Sequence, residues 1–215
     1  MKSPSRFIAV GVTAIVVALF SVAGCGSTGI ERSNKASTTM QTVDSDIKLV
    51  AVQLDATGAS LDELMKPGQT DVKKAFELYS GNVTKIEKME KEFAKHSDEM
   101  KSRGKDYFTE WKKEGDAYKN PEIQALSEQR RVELGEIYGR IAASSVGVKD
   151  AFRTYVSDVK EIQMFLSNDL TPKGINAIAP TSNRVVGDGD RLKYAIKDVQ
   201  TAIERAREEM AQRGS

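Results

Sequence analysis

One cysteine, one histidine and one tryptophan in 215 residues remove several kinds of chemistry at once. A lone thiol, Cys25, forbids an intramolecular disulfide, so nothing in the fold depends on redox compartment. His96 has neither a second histidine nor a cysteine-rich partner set with which to hold zinc, and no oriented group to make it a general base. Proline is scarce, five in the whole chain, and long stretches lack glycine, which argues against a turn-dense sandwich or barrel and for long helices. No sign of charge dominates either. Thirty-two Lys+Arg against 31 Asp+Glu leave a net +1, so no global field draws in nucleic acid or repels an anionic surface. Gly-x-Ser-x-Gly, Ser-x-x-Lys, zinc and dinucleotide signatures are all missing. The expectation is a protein without catalytic residues, metal or cofactor, and with no nucleic-acid partner.

What is present begins with an address. Lys2 and Arg6 precede an uncharged run from Phe7 to Gly24, the layout of a secretory signal, at the short end of the roughly 20 apolar residues a permanent span needs. The run ends Val22-Ala23-Gly24-Cys25, which resembles the lipobox of bacterial lipoproteins. That resemblance implies removal of residues 1–24, a diacylglyceryl thioether on Cys25, and a membrane as the first partner. Each buried methylene contributes about 0.8 kcal/mol, so two or three acyl chains hold a protein essentially permanently. By resemblance to lipoproteins of enteric-type Gram-negative bacteria, Gly26 in place of an Asp implies the outer membrane, with the protein facing the periplasm. Residues 25–39, rich in Ser, Thr, Gly and Lys without an apolar period, read as a flexible tether.

From residue 40 to 215 the chain reads as one helical bundle. Val43, Ile47, Val50, Leu54, Leu61 and Leu64 step by threes and fours along a first helix that Pro67-Gly68 stops. Thr70 and Asp71 offer caps for a second, whose seam runs from Val72 through Phe76, Tyr79, Val83, Ile86, Phe93, Met100, Tyr107 and Trp111 to Tyr118. Pro121 suits the first turn of a third, carrying Leu134, Tyr138, Ile141, Ser145, Val148, Phe152, Tyr155, Val159, Ile162 and Leu166. Asn168 to Pro180 interrupts the pattern, and a fourth helix follows with Leu192, Ile196, Val199, Ile203, Ala206 and Met210. The fold class is therefore all-α, an elongated antiparallel four-helix bundle. Because the middle two helices outrun the outer two, residues 101–135 are expected to project as a two-helix coiled-coil hairpin, pointing the same way as the tether. Gly104 and Gly115 would let that arm bend.

Trp111, Lys112, Lys113, Tyr118, Lys119, Arg130 and Arg131 make the arm the candidate interaction surface, since basic and aromatic residues together suit a partner or a membrane interface. Interleaved acids, Glu110, Glu114, Asp116, Glu122 and Glu128, make a solvated face over a packed hairpin the plainer reading. His96 reads as a solvated surface residue, Asp188-Gly189-Asp190 as a turn or helix start without the further ligands of a calcium loop. The small-residue run Ala142 to Gly147 reads as a place where a neighbouring helix comes close.

Thr154-Tyr155-Val156-Ser157-Asp158-Val159-Lys160-Glu161-Ile162 and Asn168-Asp169-Leu170-Thr171-Pro172-Lys173-Gly174-Ile175 resemble a family of proteobacterial lipoproteins with no assigned function. The resemblance implies an exported helical protein and carries no site residues with it. The reading that results is a non-enzymatic, membrane-tethered envelope protein acting as a structural or protein-interaction module, with an envelope protein as partner. The alternative is a lipid-surface module using the arm. Whether the seams close within one chain or make a homo-oligomer is open from sequence.

Overall fold

The computed structural model describes residues 28–211, and side chains to residue 209. Four helices follow one another: α1 Gly29–Met65, α2 Val72–Asp116, α3 Pro121–Asn168 and α4 Pro172–Ala211. No strand occurs among the described residues. Each helix packs on its two sequence neighbours around a square, α1 closing the ring on α4, with no diagonal contact. The four stripes meet in one continuous core from Ala36 and Met40 near one end to Leu64, Leu166 and Ile175 near the other. The seams are thus closed inside a single chain, and a homo-oligomer would have to use some other face.

Two boundaries differ from those the sequence suggests, and both lengthen the outer helices. Thr28 N-caps α1: its hydroxyl accepts from Glu31 N at 3.2 Å while the Glu31 carboxylate accepts from Thr28 N at 2.9 Å, a reciprocal capping box. Residues 29–39 are therefore helix, not tether. Their seam is built from Ala36, fully buried, and small polar residues, so no run of large aliphatic residues reveals it. In α4, Thr171 accepts from Gly174 N at 3.2 Å and starts a helix of 40 residues that runs straight through Pro180. Pro180 is exposed, so the cost of its missing N–H is met by water rather than by the core. A Cβ on Gly174 would lie 2.3 Å from the Asp169 carbonyl oxygen, which makes glycine obligatory where the chain turns into α4.

The consequence is that most of the arm is sheathed by α1 and α4, and the hairpin runs past the described end of α4 only in its last turns. Arg32 pairs with Glu114 and a Cβ on Gly29 would lie 3.7 Å from Glu114 Oε2, so α1 runs beside α2 almost to its end. Ala206 of α4 closes on Tyr107, Phe108, Leu134, Ile137 and Tyr138. The α2–α3 turn does point to the same end as Thr28, because α1 leads away from that end and α2 returns to it. At about 1.5 Å per residue, the 48-residue α3 makes a rod about 70 Å long.

Interior polar groups stitch the helices together. Gln53 Nε2 donates to Asn82 Oδ1 at 3.1 Å and Asn82 Nδ2 to the Ala56 carbonyl at 3.2 Å, joining α1 to α2. Tyr79 Oη donates to the Val159 carbonyl at 2.7 Å, joining α2 to α3. Burial pushes the phenols of Tyr79 and Tyr155 well above their ordinary value, and that of Tyr138 up to about 12.

Candidate functional site

The two ends of the rod differ in chemistry. At the α2–α3 turn, Asn120 caps α3 through its side-chain oxygen, 2.9 Å from Glu122 N, with Pro121 in the first turn. Behind it the expected arm residues separate into two groups. Trp111 lies half-buried in the hairpin, its Nε1 donating to Ser127 Oγ at 2.9 Å, its ring 5.5 Å from Tyr107 and stacked on Phe108 at 6.4 Å. Arg131 binds Glu128 on its own helix at 3.0 Å through Nε, and Arg130 pairs with Glu133. Those three serve the hairpin. Lys112, Lys113, Tyr118 and Lys119 are exposed, and Lys113 leans on Glu110 at 2.6 Å.

Three residues that the sequence did not single out complete this end. Ile30 is 75% exposed, Leu126 63% and Ile123 49%. Ile30 continues the α1 stripe of Asn34, Ser37 and Gln41, which faces Glu204 and Arg207 of α4. Ile123 and Leu126 share a face of α3 with Ile137, which meets α4 at Ala206. All three are therefore turned toward the position of α4, but beyond its described end. Counting back equally from the Arg184–Asp158 contact at 3.3 Å along these antiparallel helices, Ala211 lies roughly abreast of Arg131. The helical wheel, with α4's length known, would have found them; placing Ile30 in a tether hid the first.

At the other end, α2 and α3 leave a groove of about 760 Å³. Phe76, Val156 and Met164 supply its apolar lining, and Glu87, Glu90, Lys91, Arg153 and Lys160 its charge. Glu87 takes Lys160 at 2.9 Å and Lys91 at 3.0 Å, hydrogen bonds that hold its carboxyl below the usual carboxylate range. Ser80 Oγ, also at the groove, is buried without a hydrogen-bond partner.

Residues 32–212 match a family described as Protein of unknown function (DUF2959). The chain belongs to that family. No curated protein and no solved structure matches it. The DUF2959 match begins within the first turn of α1 and spans all four helices, so the family is the bundle itself. Val22, Ala23, Gly24 and Cys25 lie outside both the match and the described residues.

Other sequence candidates resolve into structure. His96 is not simply solvated: its Nδ1 lies 2.7 Å from Asp46 Oδ2, bridging α2 to α1. Asp188 and Asp190 fall inside α4, not at a turn, where Asp188 engages Arg184 at 2.9 Å and Arg191, and Asp190 engages Lys193 at 3.2 Å. Of the small-residue run, only Ser145 is buried, and a Cβ on Gly147 would meet nothing within 4 Å. The close approach lies instead at Gly104, where a Cβ would fall 1.9 Å from the Tyr138 ring. Gly104 is a seat for that ring and not a hinge. Among the described residues no cluster of metal-ligating side chains occurs, and no helix is long and apolar enough to cross a membrane.

Proposed function

We propose that this protein is a non-enzymatic, lipid-anchored rod of the bacterial envelope, held at Cys25 in the outer membrane on its periplasmic side, that presents a partner-binding groove away from the bilayer. The observation that carries this reading is the position of the α2–α3 groove, at the end of the rod opposite Thr28. From the α2–α3 turn to the groove's midpoint is about 50–60 Å along α3. The occupant that fits is an amphipathic helix of an envelope protein. Its apolar stripe would cover Phe76, Val156 and Met164, and its polar flanks would answer a rim of both signs. Met164 is 63% exposed. The ion pairs across the groove join exposed Lys160 and Arg153 to half-buried Glu87 and Glu90 and contribute about 1 kcal/mol each, so the two cations can swing aside for a helix at modest cost.

Two measurements test this. Cys25→Ser should move the protein from the membrane to the soluble fraction; retention on the membrane would remove the anchor from the account. In cells, a photo-crosslinking residue at position 164 should give a discrete protein adduct, while one at Tyr194, equally exposed on α4, should not. Adducts at both positions or neither would overturn the groove.

A further inference from the structure

Four exposed apolar or aromatic side chains, Ile30, Tyr118, Ile123 and Leu126, sit at the end of the rod where α1 begins and α2 turns into α3. They are not a seam for α1, α2 or α3, whose own stripes are buried inside the bundle. They gather at one end of the rod, and the length of chain before α1 limits what can meet them there.

Between Cys25 and Gly29 lie four peptide steps, which extend to at most about 14 Å. A folded domain of about 100 residues has a radius of gyration near 13 Å and a diameter well above 25 Å. If the sulfur of Cys25 carries lipid, no folded partner fits between the start of α1 and the bilayer. The α2–α3 turn shares that confinement, because a Cβ on Gly29 would lie 3.7 Å from Glu114 Oε2, two residues before α2 ends.

We infer that this end of the bundle seats in the interfacial layer of the membrane that holds the anchor, with Ile30, Ile123 and Leu126 entering the headgroup–acyl boundary. The inference rests on the lipid-anchor reading above and adds a second point of attachment to it. Tyr118 places an apolar ring and a polar hydroxyl at the level where both are satisfied, and Lys112 and Lys119 extend their ammonium groups toward headgroup phosphates while their stems stay on the apolar side. Lipid on one cysteine alone would leave the rod free to swivel. Three helix ends set against the surface fix it upright and keep the groove facing outward.

The test uses the only cysteine in the chain. In the lipidated protein its sulfur is a thioether, so Leu126→Cys or Leu78→Cys creates the single free thiol. Leu78 is 58% exposed and lies near the opposite end of α2. Each variant, purified from membranes with its lipid and returned to vesicles of phosphatidylethanolamine and phosphatidylglycerol, is labelled with an environment-sensitive dye. With brominated acyl chains in the vesicles, the dye at 126 should lose most of its emission and the dye at 78 should keep it; Ile123→Cys should behave as 126. A dye at 126 that stays unquenched, whether in water or shielded by a second protein copy, overturns the inference while the anchor stands. Labelling of the unsubstituted protein would show Cys25 to be free and would overturn both readings together.

Discussion

Gly104→Ala separates two accounts of one residue. On helix propensity alone, alanine in place of glycine in the middle of α2 should stabilise the protein by about 1 kcal/mol. The structure reverses the sign, because the new methyl would lie 1.9 Å from Cε1, 2.4 Å from Cζ and 2.6 Å from Cδ1 of Tyr138. That ring cannot slide outward without cost. It is 6% exposed, its edge meets Phe108 at a centroid distance of 5.7 Å, and its hydroxyl donates to the Met100 carbonyl. Overpacking of this kind costs about 1–3 kcal/mol, and the strained or lost hydrogen bond about 1 more. Against the propensity gain, a net loss of about 1–3 kcal/mol follows, and thermal unfolding should fall by about 2–4 °C for each kcal/mol in a chain of this size. Circular dichroism at 222 nm on Gly104→Ala, Tyr138→Leu and the double variant measures it. The coupling should be strongly favourable, with Gly104→Ala neutral or stabilising once the ring is gone. A higher melting temperature for Gly104→Ala in the native background would refute the reasoning.

Gly147→Ala is the complement: its Cβ meets nothing within 4 Å, so the same exchange should stabilise by about 0.5–1 kcal/mol in chemical denaturation. Pro180→Ala restores an N–H inside α4 at an exposed position and should raise stability by about 1–3 kcal/mol, with no change in helix boundaries by hydrogen exchange. Asn82→Ala removes two hydrogen bonds between α1 and α2, the one from Gln53 Nε2 at 3.1 Å and the one to the Ala56 carbonyl at 3.2 Å, while Gln53 keeps Thr57 Oγ1 at 3.3 Å; the loss should be about 1–2 kcal/mol in chemical denaturation. Alkaline conditions act through the buried phenols. Tyr138 is pushed up to about 12 in the folded state by burial, so the protonated phenol is favoured by folding. Its contribution is intact below the unfolded value near 10 and is lost as pH rises from there to about 12. With the exposed Tyr118 and Tyr194 replaced by Phe, absorbance at 295 nm should show phenolate formation coinciding with loss of helicity; a signal lost on Tyr138→Phe that forms at about 10 with helicity intact would contradict the assignment.

The four seams were legible because Val, Ile, Leu and aromatic residues recur at steps of three and four, and a buried stripe needs little else. Legibility failed where the stripe was made of other residues. In α1 the first turns are buried through Ala36 and small polar side chains, yet Thr28-x-x-Glu31 was a readable capping box. In α4 the stretch from Asn168 to Pro180 and the Asp188-Gly189-Asp190 turn suggested a late start, but an exposed proline removes one hydrogen bond and leaves the packing of Ile175, Val185 and Leu192 untouched. These two shortened helices produced the free arm that the structure sheaths. They also hid the candidate site, since Ile30, Ile123 and Leu126 look unremarkable until α4's reach relative to α1 and α3 is known. The groove was invisible for a different reason: Phe76 and Val156 line it from two different helices, and the gap between helices depends on how they are splayed rather than on their periods.

The central claim is that the anchored end and the α2–α3 turn coincide and that the groove stands away from the bilayer. Energy transfer from a dye on Met164→Cys of the lipidated protein to acceptors on lipid headgroups tests it most directly. The account predicts a height of about 50 Å or more at position 164, with a dye on Leu126→Cys in the same vesicles at the surface. A Met164 dye as close to the headgroups as the Leu126 dye would show the rod lying flat and would contradict it.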